Sequence, residues 1–136
     1  MIKIVENQIN VSALLAEVQH FEAGAFDLFL GRVRNYSNQK TVIRLEYEAH
    51  KSMAVSEMKK IASQAKKKWP VKALAIVHRI GILEIGEIAV AIAVATPHRR
   101  EAFEACEFII DTLKETVPIW KKEFYQDGES WIAAHP

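Results

Sequence analysis

Hydrophobic and polar positions follow two rhythms along this chain, and the changes of rhythm mark its elements. From Thr41 to Glu48, Ile43, Leu45 and Tyr47 fall on one side while Arg44, Glu46 and Glu48 fall on the other. Period-two alternation of this kind predicts a half-buried antiparallel strand. From Glu87 to Ala95 both sides are apolar, Ile88, Val90, Ile92 and Val94 against Ala89, Ala91, Ala93 and Ala95. That predicts a central strand covered on both faces, with the alanine side leaving room for a helix. The helix that follows in sequence is its expected occupant. Val71 to Ile80 reads as another strand, joined to it by a turn around Gly81 to Gly86, and Ile2 to Val5 as a short edge strand. Ala25 to Arg34 reads as a strand whose far end turns basic, and alternation puts Arg32 and Arg34 on one side of the sheet. Asn35 to Lys40 reads as a polar surface loop. Beyond Pro118 the chain reads as extended, with Trp131-Ile132 a last apolar anchor.

The helical rhythm is clearest between Thr96 and Lys122. Ala102, Cys106, Ile109, Leu113 and Val117 recur at three- and four-residue spacing, with Phe103 and Ile110 beside them. Pro97 suits the entry of such a helix, and Pro118 disfavours helical geometry at Val117. A second helix spans about Ser52 to Lys68, burying Val55, Met58, Ile61, Ala62 and Ala65, and stops at Trp69-Pro70. A shorter one, capped by Ser12, runs through Phe21 with Leu14, Leu15 and Val18 inside. Strands and helices in this mixture predict an α+β fold.

Composition narrows the function classes. A length of 136 residues predicts a single domain over 1–136 with a real core. A net charge of +1 argues against a general nucleic-acid binder. No apolar run approaches the roughly 20 residues of a membrane helix. The opening MIKIVENQ lacks the apolar segment of a signal peptide, which predicts a cytoplasmic protein. Cys106 is the one cysteine and lies in the apolar stripe, so it reads as a small core hydrophobe. His20, His50, His78, His98 and His135 are scattered, and no metal site is expected.

Basic residues are the remaining chemistry. They fall in four groups, Arg32 with Arg34, His98 with Arg99 and Arg100, Lys114, and Lys121 with Lys122. Cations at a helix start oppose the macrodipole, so His98, Arg99 and Arg100 gain nothing locally. An anionic ligand at the free N–H groups would account for them, and a solvated basic corner would account for them equally well. Arginine forks suit a phosphate or carboxylate, and a lysine crowded by cations has a lowered pKa. Sixteen residues separate His98 from Lys114, about 24 Å of helix at 1.5 Å per residue. One straight helix does not bring both ends to one small ligand. Either there are two sites, or the helix start of one subunit meets the helix end of another across a two-fold axis.

The same residues carry a resemblance. GRVRN at Gly31 to Asn35, LEYEAHKSMA at Leu45 to Ala54, VHRIG at Val77 to Gly81, HRREAFEA at His98 to Ala105 and LKETVPIWKKE at Leu113 to Glu123 are ordered over nearly the whole chain. In these motifs the chain resembles the MoaE family, the large catalytic subunits of molybdopterin synthases. The resemblance implies an α/β hammerhead-type fold, mainly antiparallel sheet packed with helices, including one long helix near 97–117. It implies a homodimer in which each copy carries a small ubiquitin-like sulfur-carrier subunit, a heterotetramer overall. Sulfur from the carrier's C-terminal thiocarboxylate is then expected to pass to cyclic pyranopterin monophosphate, the substrate, giving the dithiolene of molybdopterin, the product. No permanently bound cofactor is implied, and neither nucleic acid nor membrane is an implied partner. The family's ligand-binding positions map onto Arg32, Val33, Arg34, His98, Arg99, Lys114, Lys121, Lys122 and Glu123, with Lys114 and Lys121 as the catalytic lysines. Family members often carry an arginine shortly after the tryptophan matching Trp131, where this chain has His135. The alternative of another class is a non-catalytic adaptor that binds a ubiquitin-like tail. Joint retention of Lys114 and Lys121 favours the enzyme.

Overall fold

A computed structural model describes residues 1–133 of the chain. The elements in order are β1 (Ile2–Val5), α1 (Val11–Glu17), β2 (Ala25–Arg32), β3 (Tyr36–Ser37), β4 (Lys40–Ala49), α2 (Lys51–Lys68), β5 (Ala73–Arg79), β6 (Gly81–Glu84), β7 (Ile88–Thr96), α3 (Arg99–Thr116), β8 (Ile119–Tyr125) and β9 (Gly128–Ala133). One sheet has the order β1-β5-β7-β2, antiparallel except for the parallel pair β1 and β5. The other has the order β3-β4-β8-β9, with β6 also pairing with β4, farther along it than β3. Mainly antiparallel sheet packed, among the described residues, with three helices, of which α2 and α3 are both 18 residues long, is the α+β arrangement expected.

β7 is interior in its sheet and buried along nearly its whole length, because neither side of it carries a polar group that must reach water. Its helix assignments are the reverse of the expectation. α3 packs on the Val90, Ile92 and Val94 side, where Ala105, Cys106, Ile109 and Leu113 join the main core cluster. Ala91 and Ala93 instead face Leu14 and Val18 of the α1 segment. Ala102 and Ala105 are small buried residues on the helix, and Ala105 shares the cluster with Val90, Ile92 and Val94. α2 lies beside α3, with Ala54 rather than Val55 on its buried side. Phe103, which follows Ala102 around α3, is exposed.

Three further differences come from local backbone chemistry. α1 is capped by Asn10, whose side chain accepts from the Ala13 amide, and it ends at Glu17. Ser12 lies inside it. The stretch 35–40 is a tight hairpin, since Asn38 and Gln39 both take positive φ (52° and 61°) between β3 and β4. Within β4 the register shifts between Val42 and Arg44, so Val42 is buried and Ile43 is exposed. One extra residue at a bulge moves a side chain to the other face, which simple alternation cannot register. The expected turn at Gly81–Gly86 contains β6, which pairs with β4. Trp131 is half exposed and stacks under the Lys122 ammonium at 5.3 Å, so it is no core anchor. His135 lies outside the described residues.

Candidate active site

α3 runs unbroken to Thr116, Val117 takes extended angles, and Pro118 leads directly into β8. This sharp passage places Lys114, in the last helical turn, beside Lys121, on the inward face of β8. A cation there also complements the helix dipole. Alternation along β8 separates the neighbours. Lys121 stands opposite Tyr47 of β4, while Lys122 faces the other way and pairs with Glu129 at 2.7 Å. Glu123 shares the inward side with Lys121 and is only 2 % exposed.

The other wall comes from the end of β2. Val33 is buried, and its backbone exchanges hydrogen bonds with the 86–87 turn, from Val33 N–H to the Glu87 carbonyl at 3.0 Å and from Gly86 N–H to the Val33 carbonyl at 2.9 Å. That buried spacer leaves Arg32 and Arg34, both exposed, flanking it. Arg32 donates from Nε to the Gly86 carbonyl at 2.9 Å. Gly86 holds φ at 86°, a conformation suited to glycine.

Together these elements enclose a cleft of about 330 Å³. Arg32, Arg34, Lys114 and Lys121 line it as cations, over an apolar floor that includes Phe29, Val90 and Ile110. Tyr47 and His78 complete the lining, and their rings meet edge to face at 5.2 Å. Sequence reasoning assigned neither of them a role, although both lie in motifs that carry the family resemblance. His98 and Arg99 stand exposed at the far end of α3 and are not part of this cleft.

Burial and charge set the protonation chemistry. Burial lowers the Lys121 pKa, the Glu123 carboxylate opposes that shift, and the Arg34 and Lys114 cations add to it. Lys121 thus senses two basic residues carried by other parts of the chain. Burial, with Glu123 adding to it, raises the Tyr47 phenol to about 12. The His78 imidazole is fully buried and lowered to about 4, with Nδ1–H donating to the Arg79 carbonyl at 2.9 Å. Cys106 is buried in the core, and burial, with Asp27 beside it, pushes its thiol up to about 12. It is neither exposed nor ionised. Among the described residues no group of three or more His, Cys, Asp or Glu is placed to hold a metal ion.

The family model described as "MoaE protein" matches residues 4–116. The chain belongs to the MoaE family. It is 48 % identical over 130 residues to the molybdopterin synthase catalytic subunit of Bacillus subtilis (strain 168), covering 96 % of this chain and 83 % of that one. Its fold is similar to the crystal structure of molybdopterin synthase from Staphylococcus aureus, with a TM-score of 0.93, 40 % identity and 96 % of each chain covered. It is also similar to a chain in the complex of subunits 1 and 2 of molybdopterin-converting factor from Helicobacter pylori 26695. There the TM-score is 0.77 at 26 % identity, with 97 % of this chain and 88 % of that one covered.

Proposed function

We infer that this MoaE chain is the catalytic large subunit of a molybdopterin synthase, a sulfurtransferase of molybdenum-cofactor biosynthesis. A small ubiquitin-like carrier subunit docks on it and inserts a C-terminal thiocarboxylate. Sulfur passes to cyclic pyranopterin monophosphate, and two such transfers build the dithiolene of molybdopterin. The observation that carries this reading is the convergence of Arg32, Arg34, Lys114 and Lys121 on one cleft while the only thiol is buried and protonated. Such a cleft suits two anions, a phosphate and a thiocarboxylate, and leaves sulfur to be delivered by a partner.

Roles follow from placement. Lys114, exposed at the helix end, contacts the thiocarboxylate carbonyl and stabilises the oxyanion that develops there. The thiocarboxylate sulfur bonds to a side-chain carbon of the pterin as that carbon's bond to oxygen breaks and the oxygen leaves. The carrier is then joined as a thioester, and water adds to its carbonyl, leaving the sulfur on the pterin and releasing the carrier as a carboxylate. Lys121, partly desolvated and crowded by cations, gives up a proton more readily than an ordinary lysine and serves the proton movements of that sequence. Arg32 and Arg34 hold the phosphate. Val33 contributes backbone and spacing, and Lys122 and Glu123 support the lysine strand from either side.

His98 and Arg99 reach a pocket only across a two-fold axis, so the working unit is a homodimer carrying two carriers. α3 is unbroken from Arg99 to Thr116, and about 24 Å of helix separates its cationic start from Lys114. We place the protein in the cytoplasm, in keeping with its likeness to subunits of a biosynthetic enzyme. Incubation with a thiocarboxylated carrier and cyclic pyranopterin monophosphate tests the reading. Dithiolene formation is expected, and carrier binding without it would identify an adaptor instead.

A further inference from the structure

Glu123 is the most deeply buried acidic group beside the cleft, and its two oxygens have different partners. Oε1 accepts from the Tyr125 hydroxyl. Oε2 lies 3.8 Å from the Lys121 ammonium, close enough for attraction but too long for a hydrogen bond. A buried carboxylate near a buried ammonium would ordinarily close to direct contact, because nothing else nearby compensates its lost hydration. Here the phenol supplies that compensation. Tyr125 is itself buried, two residues beyond Glu123 on the same side of β8, and the Asn38 side chain lies near enough to its hydroxyl to oppose the rise in its pKa. Asn38 sits in the β3–β4 hairpin with φ at 52°. A line of contacts therefore runs from the hairpin tip through Tyr125 and Glu123 to Lys121.

We propose that Tyr125 is a positioning residue for sulfur transfer. Its hydroxyl holds one oxygen of Glu123 so that the other stands off from Lys121, leaving the ammonium hydrogens for the substrate. Without that hydroxyl, the carboxylate turns to its nearest remaining donor and captures Lys121 in a direct ion pair. The lysine then binds its proton more tightly and faces away from the ligand. The other groups around Lys121 are Tyr47 on β4, His78 on β5, Lys114 on α3, and Arg32 and Arg34 at the end of β2. None of them is altered by Tyr125→Phe, so the variant isolates the contact with Glu123.

Only the catalytic consequence rests on the sulfur-transfer reading, because the geometry at Lys121 is measurable without turnover. The test is an NMR titration of the full chain labelled with 13Cε-lysine, with the Lys121 signal assigned by Lys121→Arg. In Tyr125→Phe the Lys121 midpoint should rise by about half a pH unit or more, and in Glu123→Gln it should fall. The pH–rate profile of the complete synthase should move up with the midpoint in Tyr125→Phe, a response that lost packing would not produce. Should Tyr125→Phe not fold, Asn38→Gly keeps the backbone conformation, loosens the same hydroxyl, and should shift the midpoint the same way by less. A Lys121 midpoint equal to wild type in a folded variant overturns the role. So does a midpoint that rises while the pH–rate profile stays in place. A wild-type protein that titrates as expected yet makes no dithiolene would instead overturn the sulfur-transfer reading.

Discussion

Gly31 and Val90 face each other across β2 and β7 with no room for one more carbon. A Cβ at Gly31 would stand 2.6 Å from Val90 Cγ1, and both residues line the cleft. The close approach of these strands thus sets the width of the apolar floor beneath the cations. Gly31→Ala should destabilise the protein by about 1–3 kcal/mol through overpacking. Adding Val90→Ala should offset part of that, so the double variant loses less than the sum of the singles in urea unfolding. Strict additivity would mean that the strands separate freely.

Lys114 occupies an exposed position on the last turn of α3, off the buried stripe. Lys114→Ala should therefore leave stability within about 0.5 kcal/mol of wild type. Loss of one oxyanion partner should lower the rate of dithiolene formation by about 100-fold or more. Normal turnover by the folded variant would remove Lys114 from the chemistry.

Arg34 belongs to the same cleft but has a different ligand. Arg34→Ala should weaken pterin binding more than carrier binding, because an arginine fork matches a phosphate. Separate titrations with the pterin and with the carrier decide it, and equal losses for both would assign Arg34 to the carrier tail or the fold.

The cations at opposite ends of α3 test assembly. A His98→Ala/Arg99→Ala protein and a Lys114→Ala protein are mixed and allowed to exchange subunits. Each heterodimer then has one pocket with both defects and one with neither, so activity should recover. Exchange confirmed by mass without recovery would confine the site to one chain.

Acid stability should report His78. Its folded-state pKa of about 4 lies below the 6.5 of an exposed histidine, because burial penalises the cation. Between these values the unfolded chain binds a proton that the folded chain does not, so stability falls as pH drops through that window. A shift of this size corresponds to about 3 kcal/mol lost by pH 4. Unfolding free energies at pH 7 and pH 4 check this. His78→Asn, which keeps a donor toward the Arg79 carbonyl, should lose about 3 kcal/mol less than wild type over the same interval.

Much was legible in the residue pattern because it depends on local periodicity. The uniformly apolar Ile88–Ala95 run could only be an interior strand, and the stripe from Ala102 to Leu113 could only be a buried helix face. Pro118 ended that helix through its own geometry, and the placement of Lys114 and Lys121 on either side of it follows. The length of α3 alone kept His98 and Arg99 away from Lys114.

Tertiary structure decided the rest, for reasons that no window of sequence contains. Which face of β7 receives α3 depends on the summed fit of two helices and a second sheet, and it is the face of larger side chains that packs with Ala105, Cys106, Ile109 and Leu113. The bulge at Ile43 inserted a single residue and reversed its exposure. Tyr47 and His78 entered the cleft through pairings across strands, Tyr47 with Lys121 of β8 and His78 with Val90 of β7. The lowered pKa of Lys121 is likewise a property of the assembled fold. Its causes, burial, Glu123, Arg34 and Lys114, come from three elements that meet only when the chain has closed around them.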